Sequence, residues 1–185
     1  MLRVIAGSAK GHKLATLEGR LTRPTSDRIK ESLFNILSGV IEGACFLDLY
    51  AGTGSIGIEA LSRGAKSATF VDENPQCIKI IRDNLEHTKL TEKANVLKSS
   101  VTAALRLIAT QGNMFDIIFI DPPYGKGIPD VVVAEIDKLE LLKTEGIVIV
   151  EKADRDNVTQ QQGGLFVKDT RSYGDTQLVF FGCLN

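Results

Sequence analysis

This chain has little from which a metal centre or a disulfide framework could be built. Its three cysteines, Cys45, Cys77 and Cys183, lie far apart and form no CxxC pair. That argues against a disulfide scaffold or a zinc site and fits a reducing cytosol. The two histidines, His12 and His87, have no partner at ligand spacing, so no metal is expected. No long apolar span or signal-peptide pattern occurs at the start, so the sequence reads as cytoplasmic, with no membrane partner. Repeats and low-complexity tracts are missing too. Net charge is only −1 over 185 residues, so the molecule as a whole is not a polyelectrolyte. What remains, 43% hydrophobic and 24% charged, suits one globular domain with a sizeable core.

The small net charge hides an uneven distribution. Residues 1–30 carry Arg3, Lys10, Lys13, Arg20, Arg23, Arg28 and Lys30 against Glu18 and Asp27, a net of +5, while the rest of the chain is −6. A basic arm on an acidic body suits a polyanionic partner such as nucleic acid. Within the arm, "RVIAGSAKGHKLATL" reads as two short strands around a Gly/Lys turn. In "TRPTSDRIKESLFNILSGV", Thr25 or Ser26 can cap a helix whose expected apolar face is Ile29, Leu33, Ile36 and Leu37.

From residue 45 onward, apolar runs alternate with helical stretches. The runs are Cys45–Tyr50, Ala68–Val71, Ala94–Leu97, Ile117–Ile120 and Ile147–Val150. The helical stretches are Ile56–Arg63, Pro75–His87, Val101–Ala109 and Pro129–Leu139. Near-continuous apolar strands separated by helices predict a parallel sheet covered on both faces. The tail differs: "LFVKDTRSY" and "TQLVFFG" are joined by "GD" with no helix between them, which predicts an antiparallel hairpin. The expected fold is a three-layer α/β/α sandwich with one reversed strand near its edge. Ligands of open α/β sheets bind outside the carboxyl ends of the strands, so Asp48, Asp72, Ser100 and Asp121 belong to one reading.

"LDLYAGTGSIGIEALSRG" contains Gly52, Gly54 and Gly57, a G-x-G-x-x-G between a strand and a helix, and Asp72 follows at the end of the next strand. Glycines permit a tight turn and close backbone approach, and a strand-end carboxylate can accept both hydroxyls of a ribose. In this context the pattern indicates a nucleoside-containing cofactor. A nicotinamide dinucleotide would rest its pyrophosphate at the helix start. Asp48, beside the loop, would repel that group but could hold an ammonium. S-Adenosyl-L-methionine has an ammonium, a sulfonium, a ribose and no phosphate.

"FIDPPYG" raises the question of the acceptor. A buried strand ends in Asp121 and is stopped by Pro122 and Pro123, which cannot continue a ladder. An exocyclic amine on a nucleobase is a poor nucleophile because its lone pair is delocalised into the ring. Asp121 accepting one N–H, and a backbone carbonyl of the rigid Pro-Pro accepting another, would favour a pyramidal nitrogen. Tyr124 offers a face on which an extruded base can stack.

Taken together, "RVIAGSAKGHKL", "TRPTSDRIKESLFNIL", "LDLYAGTGSIGIEALSRGA", the DPPY tetrad and "RSYGDTQLVFF" resemble the RsmD family of bacterial methyltransferases. The resemblance covers nearly the whole chain. It implies the seven-strand class I methyltransferase (Rossmann-like) sheet, with a short N-terminal β-hairpin and helix extension. It also implies one methyltransferase domain over 1–185, with 1–40 as the extension and 41–185 as the cofactor-binding and catalytic core. The implied reaction is methylation of guanine N2 in 16S ribosomal RNA, at guanine 966, on naked RNA or on an assembling or assembled small subunit. A monomer is expected, although no feature of the sequence sets the oligomeric state.

Carried over by position, Asp48, Gly52 and Gly54 would line the methionine side, with Ala51 and Thr53 also binding the cofactor. Asp72 would hold the ribose, Glu73 and Asp121 would also contact the cofactor, and Ser100 would stand where many relatives place an Asp that accepts from adenine. Asp121, Pro122, Pro123 and Tyr124 would form the acceptor pocket. Arg23, Thr25, Asp27 and Lys30 would sit near the cofactor or RNA mouth. Arg3, Lys10, Lys13, Arg23, Arg28 and Lys30 are the RNA-binding candidates.

Three rival readings differ in class. A different acceptor is the first: an N6-adenine methyltransferase on another RNA or on DNA would keep the same tetrad, whereas methylation of a protein glutamine amide usually goes with Asn in place of Asp121. A nicotinamide-dependent oxidoreductase lacks a hydride-positioning residue. A non-catalytic RNA-binding module would leave the glycine loop and DPPY without a purpose.

Overall fold

The computed structural model describes residues 2–17, 27–123 and 127–183. Arg23, Thr25, Ser26 and Tyr124, singled out above, lie outside the described residues. The chain packs as two compact units, Met1–Ser99 and Ser100–Asn185.

The first unit begins with the arm. Arg3 and Lys13 form an isolated antiparallel bridge rather than two strands, and Val4 N–H donates to His12 O at 3.0 Å while Leu14 N–H donates to Leu2 O at 2.9 Å. Helix α1 (Asp27–Ile36) follows. Its buried face is Ile29, Lys30, Leu33 and Phe34. Ile36, expected inside, is 42% exposed, and Phe34 takes the inward place.

Strands β1 (Cys45–Leu49), β2 (Ser67–Asp72) and β3 (Ala94–Lys98) run parallel in the order β3-β2-β1. Helices α2 (Ser55–Ser62) and α3 (Pro75–Thr88) connect them. Helix α2 is buried at every position, which is why its sequence shows no polar face. Helix α3 starts where its sequence says it should: Asn74 caps Gln76 N–H at 2.9 Å and Pro75 occupies the first turn. It ends at Lys89, which adopts φ +59°.

The second unit contains α4 (Val101–Thr110), β4 (Phe115–Ile120), α5 (Ile128–Lys138) and β5 (Leu142–Ala153). Three further strands follow: β6 (Gln161–Gln162), β7 (Leu165–Tyr173) and β8 (Thr176–Cys183). The order is β4-β5-β8-β7-β6, with β4 and β5 parallel and β8 antiparallel to β5. The expected tail hairpin is present, with Thr176 opposite Tyr173. Strand β5 reaches well beyond the apolar Ile147–Val150 run because its polar residues pair too: Glu151 lies opposite Leu178 and Lys152 opposite Gln177.

The described strands number eight, one more than the seven expected. The extra one is β6, two glutamines with no apolar signal, turned back onto β7 through Gly163.

Candidate functional site: a glycine loop and a strand-end acid

Parallel register places the carboxyl ends of β1 and β2 side by side, with Leu49 opposite Val71. The ladder continues one step into the loop, where Ala51 N–H donates to Val71 O at 3.0 Å. The chain then turns through Gly52 (φ +57°) and Gly54 (φ +75°), conformations that side chains rarely adopt. Gly54 also lies over Ile81 and Phe70, so a Cβ there would sit 3.2 Å from Ile81. Gly57 has a different reason to be glycine: a Cβ would fall 2.3 Å from the Phe70 ring, so α2 could not lie this close to β2. The three glycines thus serve turn, loop and packing, as the spacing suggests.

Asp72 stands beside this loop, half-buried. Its Oδ2 accepts from Gly52 N–H at 2.9 Å and its Oδ1 from Asn74 N–H at 2.8 Å. Each carboxylate oxygen retains acceptor capacity, so the side chain is held in one orientation and can still take two hydroxyls.

Asp48 differs from its expected role. It is 2% exposed, and its Oδ2 accepts from Gly57 N–H at 2.9 Å. Burial pushes its carboxyl up to about 8, only partly offset by the Gly57 bond and reinforced by the nearby Asp72. Near neutral pH it is therefore largely protonated, and the exposed charge invoked against a pyrophosphate is not there. The disfavour returns on other ground. Asp48 occupies an amide in the first turn of α2, one that an anion at the helix start would need. Residues 48–55 and 72–74 contain three carboxylic acids and no Lys or Arg. This donor set fits a ribose-bearing cation better than a phosphate.

Tyr50 was missed by the sequence reading. It adopts φ +60°, a strained conformation for an aromatic residue, immediately before the glycine turn. Burial and the neighbouring, exposed Glu73 both raise its phenol pKa. No periodicity signals a positive φ. The only hint is its position between a strand and a glycine turn.

Ser100 occupies the N-cap position of α4, exposed and with extended backbone. Asp121 is half-buried directly after β4, with Pro122 buried and Pro123 exposed.

The basic candidates divide. Lys10, Lys13 and Arg28 are exposed, and Arg3 is exposed with its Nε 3.1 Å from Asp27. Lys30 is not available to RNA: it is fully buried, donates to Arg3 O at 2.5 Å and lies 3.5 Å from Glu59. Helical period alone could have placed it inward, one residue after Ile29 and three before Leu33, but its charge argued for solvent. Burial lowers its pKa, and Glu59 and Asp27 act against that shift.

Glu59 is the second residue the sequence did not flag. It is fully buried and accepts from Ile5 N–H at 2.8 Å, Ala6 N–H at 3.0 Å and Arg63 Nε at 2.8 Å. It therefore fastens the arm to α2. One turn on, Ser62 Oγ accepts from Ala9 N–H and donates to Ala6 O. Gly7 passes so close that a Cβ would collide with the Ser62 carbonyl.

No described helix is long and apolar enough to cross a membrane. Among the described residues no group of three or more His, Cys, Asp or Glu could hold a metal ion.

Known proteins share both sequence and architecture with this chain. The family model described as conserved hypothetical protein 95 matches residues 2–182. The Bacillus subtilis (strain 168) protein YlbH is 36% identical over 180 residues, covering 97% of this chain and 98% of that protein. Ribosomal RNA small subunit methyltransferase D of Haemophilus influenzae is 34% identical over 171 residues, covering 91% and 88%. The solved structure of yhhF from Escherichia coli superposes with a TM-score of 0.86 at 27% identity, covering 100% of this chain and 98% of that one. The fold is that of the class I α/β methyltransferases, and the chain belongs to the conserved hypothetical protein 95 family, the RsmD methyltransferases.

Proposed function

We propose that the chain is an S-adenosylmethionine-dependent methyltransferase acting on the exocyclic N2 amine of a guanine in small-subunit ribosomal RNA, guanine 966. The observation that carries this reading is the loop. Two left-handed glycines stand against an oriented, half-buried Asp72, and residues 48–55 and 72–74 offer no Lys or Arg of their own to receive a phosphate. S-Adenosylmethionine supplies an electrophilic methyl group when bound. Asp72 holds the ribose hydroxyls on its remaining lone pairs, and Ala51 to Gly54 let the backbone approach the ligand.

Asp121 accepts one amine N–H of the base, and the Pro122 carbonyl accepts the other. These bonds orient the nitrogen and disperse the positive charge that develops there, and Asp121 is the first resting place for the proton lost afterwards. The substrate class rests on relatives named as rRNA methyltransferases and on the exposed Lys10, Lys13 and Arg28, which suit phosphates. On this reading residues 1–185 act as one domain, a monomer in the cytoplasm, on the naked RNA or the small subunit.

The test is transfer of isotope-labelled methyl to undermethylated RNA, presented naked and as assembled subunits, followed by digestion to nucleosides. Label is expected in N2-methylguanosine, and Asp121→Ala should lower turnover about 10²–10⁴-fold while RNA binding is kept. Label in N6-methyladenosine would overturn the base assignment. No label with either substrate would overturn the reaction.

A further inference from the structure

Asn84 lies on α3, far in sequence from both the arm and the glycine loop, and bonds to both. It is 2% exposed. Its Oδ1 accepts from Ala15 N–H at 2.7 Å, and its Nδ2 donates to Ala15 O at 3.2 Å and to Thr53 O at 2.9 Å. Both amide protons and the carbonyl are committed. The side chain reads Ala15 as a neighbouring strand would, through its N–H and its C=O, while its second proton holds the one residue between the two left-handed glycines. One turn earlier on the same helix, Ile81 fills the space beneath Gly54. Helix α3 therefore supports the loop with an apolar contact and a hydrogen bond, and the latter comes from an amide shared with the arm.

A buried amide with every group satisfied has few orientations. A displacement of Thr53 O must strain or break the bond that the same nitrogen shares with Ala15 O. A displacement of the arm at Ala15 acts on the loop in return. We propose that Asn84 is a positioning residue that couples the conformation of the glycine loop to that of the amino-terminal arm, so that filling the loop and docking RNA on the arm favour each other. The inference rests on the methyltransferase reading and adds to it a thermodynamic link that must be reciprocal.

The experiment measures the affinity of S-adenosylhomocysteine by calorimetry, with and without small-subunit RNA, for the wild-type protein and Asn84→Ala. RNA should tighten wild-type binding about fivefold or more. In Asn84→Ala that factor should fall to near unity while each ligand alone still binds. A merely structural asparagine would lower the melting temperature and leave the factor unchanged, and that result overturns the inference. So does a wild-type protein that binds both ligands independently.

A second measurement needs no variant. Hydrogen exchange at the Ala15 amide, which donates to Asn84, should slow by about fivefold or more when S-adenosylhomocysteine is added. An unchanged rate in protein shown to bind the ligand overturns the coupling. Failure to bind S-adenosylhomocysteine at all would remove the methyltransferase reading and this inference with it, and is distinguished by the first titration alone.

Discussion

Among its described polar residues Met1–Ser99 buries Lys30, Asp48, Ser55, Glu59, Ser62, Asn84 and Thr88, whereas Ser100–Asn185 buries only Glu151 and Lys152. The difference follows from what each unit must hold. In the first, an arm with one isolated bridge of its own has to be fastened to helices 50 or more residues away, as the Ile5–Glu59 and Ala15–Asn84 bonds show. A backbone that cannot join a ladder still needs partners for its N–H and C=O groups, and buried side chains supply them. In the second unit β5, β7 and β8 are long and satisfy one another. Its ion pairs, such as Lys143–Asp116 at 2.8 Å and Arg171–Asp169 at 2.7 Å, lie at the surface. One unit depends on particular side chains where the other depends on pairing.

The sharpest way to break this comparison is Glu59→Ala. It removes the acceptor for Ile5 and Ala6 and leaves Lys30 buried without its carboxylate. A loss of about 3–5 kcal/mol is expected, read from the urea midpoint. A loss near that of a surface pair would mean the arm is held by its apolar contacts.

Asp48 gives the next effect, and its sign can be worked out. Its folded carboxyl is raised from 3.8 to about 8, so between those values the folded state binds a proton that the unfolded chain has released. This group's contribution is most favourable below the unfolded value, falls by at most about 1.4 kcal/mol per pH unit as pH rises, and levels off above the folded value. Asp48→Asn should flatten that decline across about pH 5 to 8 in urea melts. An undiminished slope would place its origin elsewhere.

Arg171→Ala should produce the smallest change, below about 1 kcal/mol, since the pair with Asp169 is solvated. A larger loss would show that the second unit also relies on side-chain ties.

The same contrast explains what could be read in advance. Strands β1 to β4 and helices α2 to α5 follow from near-continuous apolar runs alternating with helical stretches, because burial leaves marks within a few residues. The glycine loop was legible for the same reason. Ile36 was expected inside and Phe34 was not because the apolar stripe was centred without Lys30; with Lys30 buried, the inward face turns toward Phe34, one turn on from it, and away from Ile36. Lys30 was misjudged because its charge suggests water, while the partner that allows burial, Glu59, lies 29 residues on. Strand β6 was invisible because its pairing is carried by backbone and its side chains are polar.

The sequence by itself determined the alternation of strands and helices from β1 to β5, the glycines that favour a turn at Gly52 and Gly54, and the carboxylates at strand ends. These depend on side-chain period and backbone sterics, which are local. Only the tertiary structure decided which carboxylates keep their charge, which basic residues meet solvent, and which distant segments share one amide. Asp48 and Asp72 are both strand-end aspartates in sequence. One is a buried, largely neutral acid bonded to Gly57, and the other is a half-exposed acceptor bonded to Gly52 and Asn74. Solvation and partner distance separate them, and both are set by how the chain packs.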